Sequence, residues 1–128
     1  MSYTIDRSFP GADVAGIDAR TRAALTAKGF GVLTEIDVQA TMKKKLDVST
    51  PGYRILGACN PSVAHQAMEM EPRVGAMLPC NVILREVPGG VELSVIDPVA
   101  SMTAIPNEAL KQVAGQVRQM LADVVASI

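Results

Sequence analysis

Aromatic residues are scarce in this chain: tryptophan is absent, and two phenylalanines and two tyrosines make up 3% of 128 residues. Without them there is no stacking platform for single-stranded nucleic acid. Charge is nearly balanced, 12 basic against 13 acidic residues for a net −1, so no field draws in nucleic acid or an anionic membrane. The expectation is a protein with neither partner. Cysteine is represented only by Cys59 and Cys80, too few for a disulfide scaffold. Two reduced thiols in a cytoplasmic protein are expected. No hydrophobic run approaches the length of a membrane span. Asp6, Arg7, Asp13, Asp18, Arg20 and Arg22 interrupt the first thirty positions, which argues against a secretory signal. No internal repeat, phosphate loop, Ser-His-Asp set or metalloprotease helix is present.

What the chain does have is apolar material, 48% hydrophobic against 20% charged. That composition supports a packed core and excludes disorder, and the length fits one domain over residues 1–128. Strand character opens at Ser2–Arg7 and ends before Pro10-Gly11. Val14, Ile17, Thr21, Ala24, Leu25 and Lys28 then recur at helical spacing. Gly29 suits the left-handed position after that helix, with Phe30 folding back on its last turn. Residues 31–38 read as a second strand, and residues 40–46 as a short basic helix or turn with Lys43, Lys44 and Lys45 in solvent.

Tyr53–Cys59 is a third strand, with Tyr53, Ile55, Gly57 and Cys59 on one face and Arg54, Leu56 and Ala58 on the other. Asn60-Pro61 is a strong helix start, a favoured cap followed by a favoured first residue. The helix runs to about Glu71, and a helical turn over residues 72–77 follows. Val82–Val87 and Val91–Ile96 form a hairpin around Pro88-Gly89-Gly90. After a connector over residues 99–105, a last helix begins near Pro106, its apolar stripe running from Leu110 to Ile128. The stripe is broad enough to predict a homodimer in which a partner covers part of it. With hairpin strands late in the chain, the expected fold is α+β, a two-layer and mostly antiparallel sheet with helices on one face. A doubly wound nucleotide fold is disfavoured, because no glycine-rich turn joins a strand to a helix.

The run Tyr53-Arg54-Ile55-Leu56-Gly57-Ala58-Cys59-Asn60-Pro61, then Ala64-His65, then Leu78-Pro79-Cys80-Asn81-Val82, ending at Asp97-Pro98, resembles the domain of unknown function 302 family. Lys28-Gly29-Phe30-Gly31-Val32 and Glu35-Ile36-Asp37 extend the likeness over nearly the whole chain. The resemblance implies a fold similar to the TATA-binding protein half-domain, a curved antiparallel sheet with helices on one side, commonly as a homodimer. It implies no DNA binding and supplies no catalytic residues.

Chemistry, where the residues permit any, gathers around the Cys-Asn-Pro and Pro-Cys-Asn motifs. Cys59 immediately precedes a helix start, where the dipole favours a thiolate or a bound anion; packed as a small apolar residue it would do neither. Cys80 lies at a strand start that can neighbour Cys59, though no Cys-x-x-Cys motif marks a redox pair. His65 is about one turn into the helix. With Met68, Met70, Met77 and the thiols it offers soft-metal ligand types, but the spacing matches no metal motif, so no metal is assigned and no cofactor is named. Glu69, Glu71 and the lysine run read as solvated, and Asp97 as a turn acceptor. The expected site is therefore Cys59, Asn60, His65 and Cys80, binding a small ligand or anion in a homodimer. The alternatives are a thiol-dependent redox or sulfur-handling enzyme using Cys59, and a structural dimerisation domain.

Overall fold

A computed structural model describes residues 2–128. Its elements run β1 (Thr4–Pro10), α1 (Val14–Ala27), β2 (Gly31–Asp37), α2 (Val38–Leu46), β3 (Tyr53–Cys59), α3 (Pro61–Met70), a 3-10 turn over Pro72–Met77, β4 (Cys80–Val87), β5 (Gly90–Ile96), α4 (Pro98–Ser101) and α5 (Glu108–Ser127). The five strands form one sheet in the order β1-β5-β4-β3-β2, every neighbouring pair antiparallel. The α+β architecture with its antiparallel sheet is as expected.

Alternation along the strands decides which face is covered. Leu56 and Ala58 of β3, Val82 and Leu84 of β4, and Val91, Leu93 and Val95 of β5 are all buried. They meet Ile17 and Leu25 of α1 and Val113, Val117, Leu121, Val124 and Val125 of α5. A smaller cluster of Ala67, Val74, Met102, Leu110 and Ala114 lies beside this core. The opposite sheet face carries Ile55, Ile83, Arg85 and Ser94, all half-buried. The long helices α1 and α5 therefore cover one face.

Several expectations shift. The first strand starts two residues later than the reading of Ser2–Arg7 and ends three later, at Pro10, which sits at the end of an edge strand where its missing N–H is harmless. The segment α2 starts at Val38 because Asp37 caps it, accepting from the Ala40 N–H at 2.9 Å. Residues 99–101, expected as part of a connector, join Pro98 in a helical turn capped by Asp97. The largest correction concerns the C-terminal stripe. Leu110, Val113, Ala114, Val117, Leu121, Val124 and Val125 are all buried within the chain. Of the stripe, Met120 alone stays half-buried, so the stripe gives no ground for a partner.

Loop chemistry locks the ends of α1. Asp13 accepts from the Gly16 N–H, and Gly29 takes a φ of 80° as the left-handed residue after Lys28. The Gly29 N–H bonds the Thr26 carbonyl and the Phe30 N–H the Leu25 carbonyl, both at 3.0 Å. This is the Schellman arrangement, and it delivers Phe30 buried at the edge of the core.

Candidate functional site

Strands β3 and β4 meet at their Ala58–Cys80 pairing, and at this end of the sheet the core is not filled. A cavity of about 40 Å³ lies there, bounded by the sheet end, α3, α5 and the start of α4. Phe30, Val63, Leu78, Met102, Leu110 and Val113 give it an apolar wall. Cys59, Asn60 and Cys80 also line it, and among the described residues no charged side chain does.

Each polar group on this wall has a defined state. Asn60 follows β3 directly and caps α3: its Oδ1 accepts from the Val63 N–H at 3.4 Å. Its Nδ2 donates to the Lys28 carbonyl, also at 3.4 Å. Both ends of the amide are thus engaged by the fold. Cys59 and Cys80 are free thiols, the first half-buried and the second buried. Burial pushes the Cys80 thiol up to about 11, with a smaller contribution from the nearby Cys59. Cys80 is therefore neutral at physiological pH and is no nucleophile.

The structure brings together three of the four site residues read from the sequence and separates the fourth. His65 points to solvent on the outer side of α3, 3.3 Å from Glu69 Oε1. Cavity-facing positions on α3 are 60, 63, 64 and 67, one stripe of a helix, and position 65 falls off that stripe. Met68, Met70 and Met77 are exposed as well, so the soft-metal grouping does not form. Among the described residues no three His, Cys, Asp or Glu side chains gather as a metal site.

Cys59 departs from expectation in another way. It shares the alternation of Tyr53 and Ile55, but theirs is the uncovered sheet face. Anion binding at the start of α3 also loses ground, since the Val63 N–H is already taken by Asn60. Sequence reading missed Phe30, Met102 and Leu110, which come to the cavity from distant segments. It also missed a charged cluster on the helix side of the sheet. Asp18, buried on α1, accepts from Arg22 at 2.5 Å and from Arg54 at 3.0 Å, with Glu35 beside both arginines. Its acceptor contacts hold the Arg22 guanidinium above its ordinary pKa, the hydrogen bond to Asp18 being the main cause. Two cations and two anions compensate each other there, which fits a structural tie between α1, β2 and β3.

No helix among the described residues is long and apolar enough to cross a membrane. No curated protein matches the sequence. The crystal structure of an uncharacterized conserved protein DUF302 from Bacillus stearothermophilus superposes with a TM-score of 0.92 at 22% identity, covering 99% of this chain and 98% of that one. At that identity the likeness speaks for the fold alone. The sequence matches the family described as Domain of unknown function DUF302 over residues 5–128, and the chain belongs to that family.

Proposed function

We propose that this chain is a binding module whose cavity between α3, α5 and the sheet end takes a small neutral ligand or the apolar end of a larger one. One observation carries the reading: an unfilled apolar space that no charged side chain among the described residues lines, with the buried free thiol of Cys80 in its wall. A charged ligand would lose hydration there without gaining a counter-charge, at a cost of several kcal/mol per ion. The anion half of the sequence expectation is for this reason set aside. Cys80, neutral and buried, serves as wall, and Asn60 shapes the rim as a structural clamp.

Xenon is a suitable probe because dry apolar cavities take it up. Methyl resonances of Val63, Leu110 and Val113 are expected to shift with xenon pressure, and Ala114→Leu, which fills the space, is expected to abolish the shifts. Resonances that ignore xenon, or that respond equally in Ala114→Leu, overturn the reading. Native mass spectrometry of freshly purified protein then identifies any retained molecule by its mass.

A thiol-dependent activity, the second reading, rests on Cys59 alone, since it is the less buried of the two thiols and Cys80 holds its proton. Rapid site-specific alkylation of Cys59 supports it. Free thiols of this kind suit a reducing compartment such as the cytoplasm. The homodimer also stands as a proposal, now on a different surface. Ile36, Ile55 and Ile83 align across β2, β3 and β4 on the uncovered sheet face, where a second copy would find an apolar strip.

A further inference from the structure

The cavity as it stands, about 40 Å³, is smaller than the roughly 150 Å³ that an aromatic ring needs. An organic ligand can enter only if one wall yields. The sheet wall is bonded strand to strand, and α5 buries seven of its twenty residues. In α3, by contrast, Ala67 is the one buried residue of ten, with Val63 and Ala64 half-buried and the rest exposed.

Two asparagines clasp the ends of α3 by the same device. Asn107 caps α5 by accepting from the Leu110 N–H at 3.0 Å, and its amide donates to the Met70 carbonyl at the end of α3 at 3.1 Å. Asn60 caps α3 and donates to the end of α1, but both of its bonds are 3.4 Å long. Beyond the Asn107 clasp the chain is pinned again, because Val74 in the 3-10 turn is fully buried against the smaller cluster. Before Ala67, which is itself buried in that cluster, α3 has no fully buried residue. Val63 packs only half-buried against the main core, and with Ala64 it lines the cavity.

We propose that the first part of α3, residues 61–66, is a cover hinged at the buried Ala67, which lifts off the cavity by breaking the Asn60 clasp while the Asn107–Met70 clasp holds. Ligand entry by this route rests on the binding reading above; the motion itself does not. Elements with few buried contacts open at a lower cost than the global transition, and α3 is the wall of the cavity that meets this description.

Cys80 shares the cavity with α3 and reports on the opening. In the Cys59→Ser protein it is the one remaining thiol, and a small neutral maleimide reaches it only when the cover lifts. Labelling is measured in Cys59→Ser, in that protein with Asn60→Ala, and in that protein with Asn107→Ala, each normalised to its own global unfolding equilibrium. Amide exchange of otherwise unmodified protein is followed in parallel, which guards against a variant that fails to fold. The expected results are α3 amides that exchange about tenfold or more faster than those of α5, and Cys80 labelling raised about tenfold more by Asn60→Ala than by Asn107→Ala. Exchange of α3 in step with α5, or equal labelling in the two asparagine variants, overturns the proposal. Neither readout involves a ligand, so the xenon experiment can fail independently of this one.

Discussion

The amide nitrogen of Asn60 donates to the carbonyl of Lys28, so the residue that starts one helix also closes the end of another. Position 29 explains why they are so close: a Cβ on Gly29 would lie 3.3 Å from Asn60 Nδ2. Substituting Asn60→Ala removes both bonds and is expected to cost about 1 to 2 kcal/mol. Asn60→Asp keeps the capping oxygen but sets a carboxylate against the Lys28 carbonyl, so it recovers part of the loss and not all. Urea unfolding of the three proteins checks the order, and an unchanged midpoint in Asn60→Ala would show that the clasp contributes nothing.

Gly57 is the one strand position in β3 that cannot carry a side chain. A Cβ there would sit 2.2 Å from Thr34 Oγ1 and 2.7 Å from Pro79 Cγ, so these two residues cover the uncovered-face side of Gly57. Gly57→Ala is expected to destabilise by roughly 1 to 3 kcal/mol through overpacking. Removing the hydroxyl in Gly57→Ala/Thr34→Ala should return part of that loss, leaving the Pro79 clash. A double-mutant cycle by denaturation measures the coupling, and strict additivity would contradict this geometry.

Local signals in the sequence were strong where one residue type answers one backbone need. Asn60-Pro61 and Gly29 mark their helix ends correctly, and Tyr53–Cys59 and the turn over Pro72–Met77 fall where the pattern places them. Boundaries failed where a side chain outside the pattern decided them, as with Asp37 capping α2 and Pro10 at a tolerant sheet edge. The stripe on α5 was legible, but how much of it the chain's own sheet would cover was not, because that depends on five strands assembling. For the site, Cys59, Asn60 and Cys80 come from two motifs and line one cavity. His65 could have been set aside on spacing alone, since positions 60, 63, 64 and 67 already define the inner stripe. Met102 and Leu110 reach the cavity by tertiary contact and leave no local signal.

Cys80 links stability to alkaline pH. Its thiol is raised from 9.0 to about 11 in the folded protein, chiefly by burial. Between those values the unfolded chain has released a proton that the native one still holds. Unfolding is then favoured as pH rises, so the contribution is complete below about pH 9 and lost on the way to 11. The magnitude is on the order of 2 kcal/mol. Because lysines and tyrosines also titrate there, the readout is the difference between the native sequence and Cys80→Ala. The variant should lose less stability from pH 8.5 to 10.5, and parallel curves would place Cys80 in a wetter environment than described.

The uncovered sheet face yields the last expectation. Ile36, Ile55 and Ile83 run in register across three strands, with Ser94 and Asp6 continuing the row on β5 and β1. Five strands about 4.8 Å apart, with about seven residues each at about 3.3 Å, give a face of roughly 24 by 23 Å. That footprint, about 550 Å² before side-chain relief is added, is roughly two-thirds of the about 800 Å² per partner of a stable interface. The face carries few charges: Arg85 and Glu92 pair with each other, and Asp6 lies on the edge strand β1, away from the three isoleucines. We therefore expect a dimer at micromolar concentration by analytical ultracentrifugation. Ile55→Glu, which places a carboxylate in the middle of the apolar row, should convert it to monomer while leaving the fold intact by circular dichroism. Substitutions on the solvent side of α5, such as Gln119→Glu, should leave assembly unchanged. A native protein that sediments as monomer, or an Ile55→Glu protein that still dimerises, would remove this face as the site of self-association.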